Sequence, residues 1–186
     1  MNFNTHSRLK GQHAFLSASK YHWIGYTEDK FDRVYMASLA AQRGVELHAF
    51  AHDAIRLGVK LPKTGKTLNM YINDAIGFRM VPEQILYYSD NCFGTADCIA
   101  FRRNTLRIHD LKTGNSPTSE HQLEVYAALF CLEYKFKPFE FDIELRIYQD
   151  DEVRIYDGDP DVIFHIMDKI VTFDKRINAI REEALG

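Results

Sequence analysis

Cysteine is scarce in this 186-residue chain, and Cys92, Cys98 and Cys131 form no CxxC pair. An odd, scattered set of thiols fits the reduced state of a cytosol better than a disulfide framework. Long apolar runs are missing as well: none approaches the roughly 18 residues that a membrane-spanning helix needs. The opening MNFNTHSRLK holds no apolar signal core. A cytoplasmic location is therefore expected, with no membrane partner. Internal repeats and low-complexity tracts are absent. So is any overall positive field, because the formal net charge is −3; a nucleic-acid partner would need a local basic patch. What remains, 46% hydrophobic and 26% charged residues, is the composition of an ordinary globular domain with a real core.

The hydrophobic pattern has two regimes. Before Pro82 it is helical. Ser17 or Ser19 caps a short helix through Trp23, and a long apolar stripe runs from about Glu28 to Leu57, with Gly44 as a bend or interruption and Gly58 as a stop. LPKTGKT is a loop, after which Thr67 caps a helix through about Phe78. Beyond Pro82 the pattern alternates. Gln84 to Tyr88, Gly94 to Phe101 and Thr105 to Leu111 read as strands, the last two joined by Arg102-Arg103-Asn104. Ser119 to Tyr134 is helical, Phe139 to Tyr148 and Glu152 to Tyr156 form a hairpin around Asp150-Asp151, and Asp161 to about Glu183 is a closing helix. This order predicts an α/β sandwich around a mixed sheet.

The strand Thr105–Lys112 ends in chemistry. Alternation points Leu106, Ile108, Asp110 and Lys112 one way, so an aspartate and a lysine sit together at a strand end whose earlier residues enter the core. A hairpin at Arg102–Asn104 brings Asp97 of the preceding strand toward Asp110. Two carboxylates beside a lysine suit Mg²⁺, which one or two carboxylates hold together with substrate phosphates. The plain alternative is a surface Asp–Lys pair worth under about 1 kcal/mol. Gln122 and Tyr126, spaced i, i+4, share the face of the helix that follows.

Gly94-Thr95-Ala96-Asp97, then Asp110-Leu111-Lys112-Thr113-Gly114, then Gln122-Leu123-Glu124-Val125-Tyr126 resembles the PD-(D/E)XK nuclease superfamily. The nearest pattern is that of its RecB-like and phage exonuclease branch: GxxD, (D/E)xK, QxxxY. Upstream, Leu16-Ser17-Ala18-Ser19 is similar to that family's opening helix and Gly44-Val45-Glu46-Leu47-His48 to its G-x-x-x-H helix; the ordered set spans about three-fifths of the chain. The resemblance implies a restriction-endonuclease-like core, a mixed central β-sheet flanked by helices with an N-terminal helical segment. It would form a single domain over residues 1–186, mainly helical over 1–80 and sheet-containing over 81–186. It implies that Asp97 and Asp110 ligate Mg²⁺ or Mn²⁺, with the Leu111 carbonyl as a further oxygen and His48 as a ligand or a group that poises the site. Lys112 would orient or help deprotonate the attacking water, and Gln122 and Tyr126 would order the active-site strand and contact the DNA backbone. Some relatives hold an iron–sulfur cluster with four cysteines; the number and placement of Cys92, Cys98 and Cys131 lead us to expect none.

Other readings stay open on the residues themselves. Ser119-Glu120-His121-Gln122 is a capping box, so Gln122 could be closing its own helix start. Tyr126 could be ordinary core, and His48 with His52 could form a helical zinc pair, although no third ligand is evident. Glu83 is a candidate further acid. Lys63-Thr64-Gly65-Lys66-Thr67 ends like a phosphate-binding loop but has Lys60 where the first glycine belongs. Lys63 and Lys66 in that loop, and Arg102, Arg103 and Arg107 flanking the proposed site, are candidate contacts to a phosphate backbone.

The expected function is a metal-dependent deoxyribonuclease hydrolysing phosphodiester bonds, more an exonuclease than a sequence-specific cutter. It would serve phage or mobile-element DNA processing or recombination, in the bacterial host cytoplasm if phage-encoded, as a homo-oligomer or with a helicase or recombination partner. The alternative is a catalytically inactive nuclease-like module that binds nucleic acid or inhibits.

Overall fold

The alternating segments after Met80 form one five-stranded sheet in the order β1 (Val81–Ser89), β2 (Cys92–Arg102), β3 (Thr105–Leu111), β4 (Asp142–Gln149) and β5 (Glu152–Asp157). The structure is a computed structural model that describes residues 4–114 and 116–185. Only the β3–β4 pair is parallel. A parallel pair needs a crossover, and α3 (His121–Tyr134) lies on it. Strands covered on both faces lose their polar alternation, so Leu106, Ile108, Leu111, Leu145 and Ile147 are all at most 2% exposed.

Both antiparallel hairpins at β2–β3 and β4–β5 turn in two residues. Arg103 and Asn104 have φ of 51° and 59°, and Asp150 and Asp151 have 53° and 60°. Left-handed backbone at both central positions matches the right-handed strand twist. The β2–β3 turn is thus one residue tighter than the sequence suggested, with Arg102 still in its strand.

By its contacts the chain divides at Gln42/Arg43 into two units. In the first, 3-10 turns at Ser7–Leu9 and Ala18–Gly25 precede the opening part of α1 (Glu28–Leu57). The short helix expected there is of 3-10 type. Ser17 stands at its N-cap position, but its hydroxyl bonds Ser19 at 3.0 Å instead of a backbone amide. Phe15, Phe31 and Tyr35 make a ring cluster with centroids 5.0–6.0 Å apart.

The second unit holds the sheet and two helical layers. On one side Leu123, Ala127, Phe130 and Cys131 of α3, with Ile163 of α4 (Pro160–Leu185), pack on Leu106, Ile108, Leu145 and Ile147. On the other, Ala51, Ala54 and Ile55 of α1 and Tyr71, Ile72 and Ala75 of α2 (Thr67–Gly77) cover Cys98, Ala100, Leu111 and Tyr148. Truncating one of these buried leucines to alanine costs about 2–5 kcal/mol. Thr67 is the first residue of α2 and not its cap. Asp151 from the β4–β5 turn accepts the Thr67 amide at 2.9 Å and so supplies the capping oxygen from 84 residues away. Among the described residues, no helix is long and apolar enough to cross a membrane.

Candidate active site

Asp97 and Asp110 owe their meeting to strand register. The last pair of the β2–β3 ladder is Cys98 opposite His109, so Asp97 and Asp110 are the first residues beyond it on the two strands. Paired positions in an antiparallel sheet place Cβ atoms roughly 5 Å apart, where like charges repel. The ladder ends at that point, and the Asp97 side chain takes over: its Oδ2 accepts the Leu111 amide at 2.9 Å. Leu111, expected to offer its carbonyl to a metal, is thus seen to hold a carboxylate through its N–H. Burial and the Asp110 charge raise the Asp97 carboxyl above its ordinary value, opposed by the Leu111 amide, His48 and Lys112.

Asp110 is only 3% exposed. The Lys112 ammonium lies 3.0 Å from each of its oxygens, but the angle suits a hydrogen bond to Oδ1 alone. Oδ2 is buried with no hydrogen-bond partner. From Lys112 the polar chain continues outward. Nζ donates to Gln122 Oε1 at 2.9 Å, and Gln122 Nε2 donates to Tyr126 Oη at 3.1 Å. An ammonium only donates, which fixes the amide orientation and leaves the Tyr126 hydroxyl proton free for a further acceptor. The capping box at Ser119 does not form: Glu120 takes the N-cap position with no side-chain bond, while Gln122 reaches across to Lys112. His48 approaches from α1, its Nδ1 3.6 Å from Asp97 Oδ2. His52 bonds Asp53 at 3.2 Å, so the two histidines serve different partners.

Two glycines make these approaches feasible. α1 runs unbroken through Gly44, which is buried; a Cβ there would lie 2.7 Å from Thr113 Oγ1. A Cβ on Gly94 would lie 2.9 Å from the Tyr126 ring. The glycine of the strand motif therefore seats the tyrosine of the helix motif. Sequence reading missed Thr113 in this role, and also Gln149. That side chain donates to the carbonyls of Gly114 and Ser116 at 2.5 and 2.9 Å and accepts from Thr118 and Arg154 at 3.0 and 2.7 Å, clamping the segment that follows Lys112. Tyr71 and Cys98 also sit beside Asp97, and burial pushes the Cys98 thiol up to about 12, far from a reactive thiolate.

The basic candidates lie elsewhere. Arg102 stands five residues from Asp97, about 17 Å along an extended strand, and Arg103 follows in the turn. They occupy the opposite end of the hairpin from the carboxylates, where strand extension puts them despite their closeness in sequence. Lys63 is exposed in the loop before α2, and Lys66 pairs with Asp151 at 2.6 Å. A cavity of about 490 Å³ opens beside the site between Leu47, Leu68, Lys112, Thr113, Asp150 and Asp151; neither Asp97 nor Asp110 lines it.

Among the described residues, no group of three or more His, Cys, Asp or Glu side chains is arranged to hold a metal ion. A zinc cage is thus unsupported, but a hard cation asks for less. Mg²⁺ takes one or two carboxylates and fills its other positions with water and phosphate oxygens. The buried Asp110 Oδ2, which has the Lys112 ammonium beside it but accepts no hydrogen bond, and the mutual repulsion of the two carboxylates are what such an ion would relieve. The residues fit an ion held jointly with substrate.

A family model described as a protein of unknown function, DUF2800, matches residues 81–150. That span runs from the start of β1 into the β4–β5 turn and contains Asp97, Asp110, Lys112, Gln122 and Tyr126, but not His48. No curated protein and no solved structure matches the chain.

Proposed function

We propose that this chain is a metal-dependent nuclease of the PD-(D/E)XK type, with a restriction-endonuclease-like core, that hydrolyses DNA phosphodiester bonds. One observation carries the reading: Asp110, Lys112, Gln122 and Tyr126 form one hydrogen-bonded chain that starts at a buried carboxylate and ends at the surface, with Asp97 held beside its start on the Leu111 amide. A surface Asp–Lys pair would not bury its aspartate to 3% exposure.

Asp97 and Asp110 would hold Mg²⁺ or Mn²⁺, with His48 against Asp97. The bound ion would polarise the phosphoryl oxygen and lower the pKa of a water. Lys112 holds a proton-rich group 3.0 Å from Asp110, where it positions a water and offsets the charge that develops on the phosphate. Gln122 keeps that ammonium aimed, and the free Tyr126 hydroxyl proton would donate to a backbone oxygen. Lys63 and Lys66, in the loop before α2, are further candidate backbone contacts. The work in phage or mobile-element DNA processing or recombination suggested by the resemblance is part of this proposal, as is self-association or a helicase partner.

End-labelled single- and double-stranded DNA, incubated with Mg²⁺, Mn²⁺ or EDTA, tests the proposal. Cleavage is expected only with metal, and Asp110→Ala or Lys112→Ala should lower it at least a hundredfold in a folded protein. Wild-type cleavage rates in either variant would end the assignment. The lack of a third acidic ligand among the described residues favours a second reading, a module that binds DNA without cutting it. Shifted but uncut DNA in both metals would be its signature.

A further inference from the structure

At the far end of the β2–β3 hairpin a cavity of about 800 Å³ is lined by Gly77, Phe78, Arg79, Arg102, Arg103, Thr105 and Arg107. Four arginines face one space, on a chain whose formal net charge is −3. Their counter-charge is thin. Glu144 accepts from Arg107 Nε at 3.1 Å, and shares the same oxygen with Arg146 at 2.9 Å. Among the described residues Arg79, Arg102 and Arg103 form no ion pair. Guanidinium planes of Arg107 and Arg146 lie 4.7 and 4.8 Å from the Phe78 ring, which fixes the floor of the cluster.

The backbone adds a second observation. α2 ends in a Schellman turn: the Arg79 amide bonds the Ile76 carbonyl at 3.1 Å and the Met80 amide that of Ala75 at 2.9 Å. The turn's left-handed position, usually glycine, is Arg79 with φ 54°. Arg103, with φ 51°, takes the first left-handed position of the β2–β3 turn, where glycine, asparagine or aspartate is favoured. Two arginines thus occupy strained positions in separate segments, and both open into the same cavity. Both turns require left-handed backbone, but neither requires arginine there, so the residue choice is what local structure leaves unexplained.

We propose that this cavity is a polyanion site that takes the phosphate backbone of a nucleic-acid strand. Guanidinium forks match phosphate oxygens bidentately. Arg102 and Arg107 alternate onto the face of the sheet that α2 covers, whereas Asp110 falls on the face of Ile108, so the cavity is a site of its own and not an extension of the carboxylate pair. This rests on the proposed nuclease reading only for its ligand: the arginines would hold a second stretch of the bound nucleic acid.

Fluorescence anisotropy in EDTA, with a labelled 20-nucleotide single strand and its duplex, separates gripping from cutting. The variant is Arg79→Gly with Arg103→Gly. Glycine suits both backbone positions, so its Tm should equal or exceed that of the wild type. Binding at 50 mM salt should weaken at least tenfold, and the slope of log K against log[salt] on the single strand should fall by about 1.4, some 0.7 per lost phosphate contact. Unchanged affinity and slope overturn the site. If the double variant fails to fold, Arg102→Gln, in regular strand backbone, must lower the slope by about 0.7 or the proposal falls. Displacement of DNA by polyglutamate at equal charge concentration would reassign the cavity to an acidic polypeptide and overturn it as well. A wild type that binds DNA but never cuts it refutes the nuclease and leaves this site standing; cutting with an unaffected double variant does the reverse.

Discussion

Replacing Asp97 with asparagine should stabilise the metal-free protein while removing its response to metal. Asp97 and Asp110 follow the last pair of the β2–β3 ladder, and burial and then the Asp110 charge raise the Asp97 carboxyl. Two unit charges roughly 5 Å apart repel by about 3 kcal/mol at an effective dielectric of 20. Part of this is offset, because Lys112 lies 3.0 Å from Asp110 and the Leu111 amide 2.9 Å from Asp97. The raised Asp97 carboxyl gives the sign of what remains: the folded protein disfavours this charge. Asparagine keeps an acceptor for the Leu111 amide and drops the charge. With the 23% side-chain exposure discounted for solvent screening, the net gain is about 1 kcal/mol. For a chain of this length that is a Tm rise of about 2–4 °C in EDTA.

Metal should act in the opposite sense on the two proteins. Mg²⁺ at ten times its dissociation constant stabilises the wild type by about 1.4 kcal/mol, a shift of about 3–6 °C; Asp97→Asn should show little of it. The pH dependence follows the same sign. An acid whose folded pKa is raised destabilises fully above that pKa, and the penalty fades as pH falls through it toward the ordinary value of 3.8. The gap between variant and wild type in EDTA should therefore close as pH drops from neutral toward 4. Thermal melts followed by circular dichroism, with and without MgCl₂ or MnCl₂, read all three effects. A variant that melts below the wild type in EDTA, or that keeps the full metal shift, refutes the shared carboxylate site.

Two further outcomes are expected. Gly94→Ala places a methyl 2.9 Å from the Tyr126 ring; overpacking of this kind costs about 1–3 kcal/mol, and cleavage should fall with it because Gln122 and Lys112 move with the ring. Circular dichroism and the end-label assay check both, and a variant matching wild type in both would show that the ring is not held there. His109, fully buried, accounts for an acid-sensitive term: Tyr148 gives its proton to Asp74 at 2.8 Å, so His109 Nδ1 must donate to Tyr148 at 3.3 Å and Nε2 stays bare. Burial and then Arg146 and Arg107 hold its pKa well below 6.5. The unfolded chain takes up a proton there and the folded one does not, so stability should fall as pH drops below 6.5, by up to about 1.4 kcal/mol per pH unit. His109→Phe should flatten that slope in urea melts between pH 7 and 5; an unchanged slope would assign the acid sensitivity to other groups.

Local pattern was enough wherever local forces decide. Glu28–Leu57 and Thr105–Leu111 form with the bounds that the sequence indicates, although of the apolar stripe expected on the long helix Tyr35, Leu39, Val45 and Phe50 are exposed and burial is concentrated at Ala51, Ala54 and Ile55. The pattern misled where distant groups compete. Ser119 to Gln122 reads as a capping box, yet Gln122 has a better partner in the Lys112 ammonium. Thr67 reads as a cap, yet Asp151 supplies that oxygen from another turn. Arg102 and Arg103 read as neighbours of the site because eight and seven residues separate them from Asp110; an extended hairpin turns that closeness into distance.

By itself the amino-acid order determined which residue types stand at strand ends and helix starts, and hence that two acids, a lysine, a glutamine and a tyrosine were available in sequence. Period and turn chemistry act over a few residues, so they are written locally. Tertiary structure alone decided which of these meet: the register that brings Asp97 and Asp110 to the same end of the β2–β3 ladder, the bare approaches at Gly44 and Gly94, and the gathering of Arg79 with Arg102, Arg103 and Arg107. Those contacts join segments tens of residues apart, and packing of the whole sheet against its helices is the physical step that selects them.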